Sequence, residues 1–319
     1  MAINAQSIKE LRERTQAGMS DCKSALVEAE GDMDKAIEVI IKKGLAKSAK
    51  RAGAVAAEGE VRASVSADKR HATVVEVNIQ TDFSARNDAF RNFVGDVLAV
   101  AEKAPLGSDL AIAKLGDATV GDAAIALTAR IGEKIAVRRW DRVELAAGKL
   151  GLAHAYVHLG GKIGVALALE TGTAEGASNP EVHALADDLA MHIAATNPLV
   201  LTRAEVTADQ VARQKEIFEG QLREDPKPKP EAAWPKIIEG KFNKWYSETA
   251  LLEQESVVTK TDEKGTPMPA QKITKLLEAA AKAIGTTLTV SRFVRYERGE
   301  GIEKKVDDFA AEVAKMAAS

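Results

Sequence analysis

The sequence predicts an α+β protein, and three observations carry that reading. Short amphipathic segments separated by glycines open the chain. A unit of two alternating strands followed by an apolar-periodic helix then occurs twice, Gly59 opening the first and Gly151, 92 positions later, the second. A proline-tipped pair of helical seams interrupts the second unit before its last strand. Two pseudo-repeated subdomains, each a sheet covered on one side by helices, would bury these faces.

Taking the elements in order, Ile8 and Leu11 mark a first helix that stops at Gly18. Ser20 can cap a second helix carrying Cys22, Ala25, Leu26 and Ala29, with Gly31 at its C-terminal end. Asp32 or Asp34 opens a third with Ala36, Ile37, Ile40 and Ile41, and Gly44 closes it. Residues 1–54 are therefore expected to form a three-helix bundle. The run from Lys42 to Arg51 carries five basic residues and no acid. It reads either as a solvated linker helix or as a contact with an acidic partner or the ribosome.

The first subdomain is expected over 55–146. Gly59–Ser66 and Ala72–Ile79 alternate as strands, and Phe90, Phe93, Val94, Val97, Leu98 and Ala101 recur at helical spacing. Between them lies Thr81-Asp82-Phe83-Ser84, a strand-to-helix junction of the kind where scaffolds display working side chains. Phe83 is a large apolar ring beside a carboxylate and outside both periodic patterns. The pattern alone leaves open a core ring closing the helix start and an exposed one. Thr119 can cap a further helix with Ala124, Leu127 and Ile131, and Ile135–Trp140 supplies a third strand.

The second subdomain is expected over 147–201 and 246–297. Gly151–His158 and Ile163–Glu170 flank the turn Leu159-Gly160-Gly161-Lys162, a helix follows through Leu185, Leu189 and Ile193, and Thr287–Val294 arrives late as the third strand. The insert, 202–245, reads as an antiparallel coiled-coil hairpin. Its seams are Val211, Phe218 and Leu222, then Ile237, Ile238, Phe242 and Trp245. The tip Asp225–Pro230 cannot be helical, and Pro235 suits a first turn. Whether such an arm meets a partner, meets a second copy in a homodimer, or packs back on its own domain stays open. Over 298–319 a last amphipathic helix is expected, with Ile302, Val306, Phe309, Val313 and Met316.

Composition narrows the function classes. At 319 residues the chain has room for two or three domains, and 44 basic against 47 acidic residues give no bulk excess that would advertise nucleic acid. No direct nucleic-acid binding is expected. The single Cys22 excludes an intrachain disulfide framework and a cysteine zinc site, and fits a reducing compartment. With no secretory segment and no apolar run near eighteen residues, the expected location is the cytoplasm, away from membranes.

Catalytic motifs are missing. The run around Gly161-Lys162 lacks the first glycine of a phosphate loop, and Gly299-Glu300-Gly301 lacks the third glycine of a dinucleotide fingerprint. His183 and His192 lie more than two helical turns apart, and His154 and His158 stand about 13 Å apart on one strand face. No catalytic, cofactor-binding or metal-ligating residue is expected, and the chain reads as a non-enzyme. His158, beside Gly160-Gly161, reads either as a turn histidine or as a contact residue.

Four separated stretches stand out: Leu11–Lys23, Glu76–Phe83 continuing through Ala85-Arg86-Asn87 and Phe90, His158–Val165, and Arg298–Lys304. Together they resemble the elongation factor Ts family, whose members exchange nucleotide on the GTPase elongation factor Tu. The resemblance covers essentially the whole chain. It implies that the first helices are a ubiquitin-associated-like domain docking on the GTPase, with Arg12 and Met19 as contacts. It also implies that Thr81, Asp82, Phe83 and Ser84 dislocate Mg²⁺ from the partner, assisted by Ile131 and Gly132, and that His158 contacts the partner's third domain. Ser84 departs from the family's usual valine, and Glu255-Ser256 from its usual Pro-Phe. A second reading is a ribosome-associated adaptor working through its N-terminal module.

Overall fold

The alternation and periodicity resolve into two three-stranded sheets packed face to face, with helices on both outer faces. The computed structural model describes residues 3–15, 17–227, 229–258 and 269–303. The last expected helix lies largely outside the described residues.

Three helices open the chain: α1 (Ala5–Thr15), α2 (Met19–Glu28) and α3 (Met33–Arg51). They close around Leu11, Cys22, Ala25, Leu26, Ala36 and Ile40. Asp32 caps α3 by accepting from the amides of Asp34 and Lys35. Two expectations are corrected. Helix α2 starts at Met19 with Gly18 at its N-cap, so Ser20 lies inside the first turn instead of capping it. Gly44 does not stop α3, which runs on to Arg51 and carries the basic run on its last turns. A lone glycine costs a helix only about 1 kcal/mol. Here the glycine is buried, next to Ala129 and Ile125 from later in the chain.

The first sheet is built from β1 (Glu58–Val65), β2 (His71–Ile79) and, further on, a third strand. Between them come α4 (Asp82–Ala85), α5 (Asp88–Ala101), the small hairpin β3 (Lys114–Leu115) and β4 (Ala118–Thr119), and α6 (Val120–Ile131). Strand β5 (Ile135–Glu144) then pairs with β2. The second sheet starts with β6 (Leu150–His158) and β7 (Ile163–Thr171), followed by α7 (Ala174–Ser178) and α8 (Pro180–Thr196). After the arm helices α9 (Ala208–Arg223) and α10 (Trp234–Thr249) come α11 (Ile273–Ile284) and β8 (Leu288–Glu297). The orders β1-β2-β5 and β6-β7-β8 are equivalent, and all pairs are antiparallel. Helix α11 is not among the expected elements, although Ile273, Leu276, Leu277, Ala280 and Ile284 recur at helical spacing.

The repeat is close at the level of single residues. Gly59 and Gly151 both take positive φ, where a Cβ would overlap the carbonyl oxygens of Val77 and Leu169. The register slips at Glu76/Val77 in one sheet and at Ala168/Leu169 in the other. In β2, Val75, Val77 and Ile79 face α5 and α6, while Ala72 and Val74 face the second sheet. Alanines and valines fill the space between sheets, chiefly Val61, Val143, Ala153, Ala166 and Ala168. Small side chains bring the sheets close, which accounts for the scarcity of aromatics. At Gly164 even one carbon is too many: its Cβ would lie 2.5 Å from Val61 Cγ1.

A buried carboxylate ties the two sheets together. Glu76 is 0% exposed. It accepts from Asn78 Nδ2 (3.1 Å), Arg138 Nη1 (2.9 Å), Arg139 Nε (2.6 Å) and the Gly299 amide (2.8 Å) just beyond β8. Burial alone would raise its pKa. The hydrogen bonds from Gly299, Arg139, Arg138 and Asn78 outweigh burial and hold it below the ordinary glutamate value.

The arm leaves the layer of the second sheet through a neck at Leu199–Leu201 and Thr249–Leu252, where Leu199 and Val200 N–H bond to Thr249 O and Leu251 N–H to Val200 O. Helix α10 therefore continues past the expected boundary at 245 as far as Thr249. Phe218 meets the edge of Phe242 at 5.2 Å between ring centroids, and Thr207 with Gln210 forms a capping box at the start of α9.

Candidate partner-binding site

Strand β2 ends at Ile79, and the chain turns through Gln80 and Thr81 into the four-residue α4. Thr81 is its N-cap, the hydroxyl accepting from Ser84 N at 3.2 Å. Just after α4, Asn87 caps α5 by accepting from Ala89 N. Two caps so close together fix a short helix that its own hydrogen bonds could not nucleate. The matching turn of the second repeat is built alike, with Thr173 capping α7 and Asn179 capping α8. Asp82 and Phe83 correspond there to Ala174 and Glu175.

The side chains at this first tip point outward. Phe83 is 85% exposed, the most exposed of the large apolar side chains described. Such a ring gains nothing in the isolated chain and is a candidate anchor for something that covers it. Asp82 is exposed and pairs with Arg86 at 3.2 Å, a contact too solvated to stabilise much. Ala85 turns inward to the core, and Ser84 is half-buried.

The turn between α6 and β5 closes against this tip. Gly132 ends α6 in the left-handed conformation, φ 84°, with its amide on Thr128 O. Glu133 follows and receives the Thr81 amide (3.0 Å), the Thr81 hydroxyl (2.8 Å) and the Ser84 hydroxyl (2.6 Å). Ile131, one residue before Gly132, is partly buried against the core under α5 and α6. The expected residues 81–84 and 131–132 are thus neighbours, joined by a residue that sequence reasoning missed. Its only signal is a carboxylate directly after a helix-stopping glycine.

The other expected residues stand on separate elements. Arg12 lies exposed on α1, and Met19 exposed at the start of α2. His158 is half-buried at the end of β6, with Nδ1 2.7 Å from Tyr156 Oη. Next to it Leu159 is exposed at the hairpin tip in the left-handed region, φ 47°. Gly161, close by, holds the two sheets together. Its carbonyl oxygen accepts from Val61 N at 2.8 Å, and a Cβ there would lie 2.5 Å from Glu60 Cγ. Among the described residues no group of three or more His, Cys, Asp or Glu could hold a metal ion, and no helix is long and apolar enough to cross a membrane.

Comparison with known proteins places this geometry. The family described as "Elongation factor TS" matches residues 80–300, from the start of the tip turn to the segment that bonds Glu76. Elongation factor Ts of Clostridium perfringens is 44% identical over 317 residues, covering 98% of this chain and 99% of its own. That of Symbiobacterium thermophilum is 45% identical over 316 residues, covering 99% and 98%. That of Bdellovibrio bacteriovorus is 42% identical over 317 residues, covering 98% of each. With relatives this similar over nearly their whole length, the chain belongs to the elongation factor Ts family.

Proposed function

We propose that this translation elongation factor binds elongation factor Tu carrying GDP and promotes exchange of GDP for GTP. The observation that carries the reading is Phe83, almost fully exposed on a turn pinned at both ends. Tight nucleotide binding by such a GTPase rests on Mg²⁺ bridging phosphate oxygens and on backbone amides of the phosphate loop. A protein that stabilises a GTPase conformation lacking those contacts weakens nucleotide binding, and nucleotide weakens the protein's binding by the same factor. Phe83 would wedge between packed elements of the GTPase, which repack between discrete arrangements instead of deforming smoothly. Asp82 and the rest of the Thr81–Ser84 turn follow the ring, and Mg²⁺ leaves as its surroundings shift.

Arg12 and Met19 supply docking from the helical bundle, Ile131 and Gly132 flank the wedge, and His158 makes a second contact from the other sheet. No group on this chain transfers a proton or attacks substrate. The work is done in the cytoplasm by binding energy alone. The test is stopped-flow release of a fluorescent GDP analogue from elongation factor Tu. Wild type should accelerate release, whereas Asp82→Ala with Phe83→Ala should keep docking and lose most of the acceleration. A double variant exchanging at the wild-type rate would remove the wedge from the mechanism. Sizing the nucleotide-free mixture separates one-to-one from two-to-two assembly.

A further inference from the structure

We propose that Glu133 is the positioning residue of the tip, holding Phe83 in the orientation that docking needs. This inference rests on the exchange reading above. A four-residue helix is too short to persist on its own hydrogen bonds, and an exposed ring on a loose turn would lose much conformational freedom on binding. Glu133 removes that freedom in advance. Its Oε1 takes the hydroxyls of Thr81 and Ser84, and its Oε2 takes the Thr81 amide, so both ends of the turn are tied to one carboxylate. Hydrogen bonds to a charged acceptor are stronger than neutral ones.

The anchor is itself held. Gly132 sets the turn direction, the Lys134 amide bonds Gln80 Oε1 at 2.8 Å, and Lys134 Nζ reaches the carbonyls of Ala52 and Ala54 at 2.8 and 3.1 Å. Glu133 therefore sits on a turn tied to β2, α6 and the end of the helical bundle. The second repeat supplies an internal comparison. There Gly285, also left-handed, ends α11, and Thr286 follows where Glu133 stands in the first. Thr286 Oγ1 receives the Gly172 amide at 3.1 Å and lies 3.4 Å from Thr173 Oγ1. Both tips are pinned from the same turn, but the carboxylate with its three bonds is found where the ring is exposed. Ser84 contributes one of those bonds through a hydroxyl that a valine lacks.

The experiment is release of fluorescent GDP from elongation factor Tu by the full chain, at saturating factor, with variants checked for folding by thermal melts. Glu133→Ala should lower the maximal release rate by about tenfold, and Glu133→Gln, whose amide oxygen still accepts, by about threefold. In a Phe83→Ala background, Glu133→Ala should add less than about twofold, because the anchor acts through the ring. Equal effects in both backgrounds would show that Glu133 acts elsewhere and would overturn the proposal, as would a wild-type rate for Glu133→Ala alongside a slow Phe83→Ala. If Glu133→Ala fails to fold, Glu133→Gln and Ser84→Ala decide, and wild-type rates for both would refute it. A wild-type rate for Phe83→Ala would sink the exchange reading of the tip first, and this inference with it.

Discussion

Replacing Glu76 by glutamine tests whether the two sheets are fastened by charge or only by packing. The substitution keeps shape and removes charge, turning one acceptor oxygen into a donor NH₂. Glu76 serves four donors: Oε1 takes Asn78 Nδ2, Arg138 Nη1 and the Gly299 amide, and Oε2 takes Arg139 Nε. Whichever way the new amide turns, at least one donor meets another donor, and two guanidiniums lose their buried counter-charge. Removing one partner from a buried ion pair costs about 3–5 kcal/mol. Both arginines keep about a quarter of their side-chain surface in water (26% and 28%), so the lower end is expected, about 3 kcal/mol. The assay is urea unfolding of the full chain at several pH values. Because the folded pKa of Glu76 lies below its ordinary value, its stabilisation is complete above the unfolded pKa and fades as pH falls through the folded one. The gap between wild type and Glu76→Gln should therefore be widest near neutrality and shrink below about pH 4.5. A gap under about 1 kcal/mol at pH 7, or one that does not change with pH, would show that water already serves these groups.

Four further outcomes follow from the packing. Gly44→Ala should stabilise by about 0.5–1 kcal/mol in thermal melts, because the position is mid-helix and the new methyl meets Ala129 Cβ at an ordinary 3.7 Å. Gly164→Ala should destabilise by about 1–3 kcal/mol, since its methyl would press on Val61 Cγ1 at 2.5 Å and Val74 Cγ2 at 3.2 Å. Phe83→Ala should leave the melting temperature within error of wild type, as a ring 85% exposed has little packing to lose. His192 is fully buried, with Nε2 2.9 Å from Gln254 Oε1 and Nδ1 accepting from Val257 N at 3.2 Å. Burial lowers its pKa against the opposing bond to Gln254, so stability should decline as pH falls below about 6.5, less so in His192→Gln.

The strands of the two sheets were legible because alternation and helical spacing are dictated by burial, and the pattern recurs 92 positions on, from Gly59 to Gly151. Gly44 misled because a glycine's local cost is visible in sequence, while the α6 surface packed beside it comes from far along the chain. Phe83 stayed ambiguous for a related reason. A ring at a strand-to-helix junction can fall on either side of the layer, and the folded turn, capped by Thr81 and Asn87 and bonded to Glu133, leaves it outward. Glu133 was missed because its role exists only once the α6–β5 turn folds against the tip, 52 residues from Thr81 in sequence. Helix α11 carries a strong apolar stripe, with Ile273, Leu277 and Ile284 at helical spacing, so its signal was present in the sequence although it was not among the expected elements.

The stretches by which the chain resembles its family divide into residues that hold and residues that face outward. Glu76 accepts from the Gly299 amide of the last of those stretches, whose Arg298 amide bonds the Lys162 carbonyl oxygen of the third, so three stretches far apart in sequence meet at the two sheets. Phe83 and Met19 contact little of their own chain. This division bears on the exchange reading. The tip is fixed to the first sheet and His158 to the second, so the distance between the two proposed contacts is set by how the sheets pack. Loosening the packing at Glu76 should weaken both contacts together, whereas changing Phe83 should affect one. Exchange measured in Glu76→Gln at a temperature where it remains folded therefore asks whether the core only supports the site or also sets its spacing.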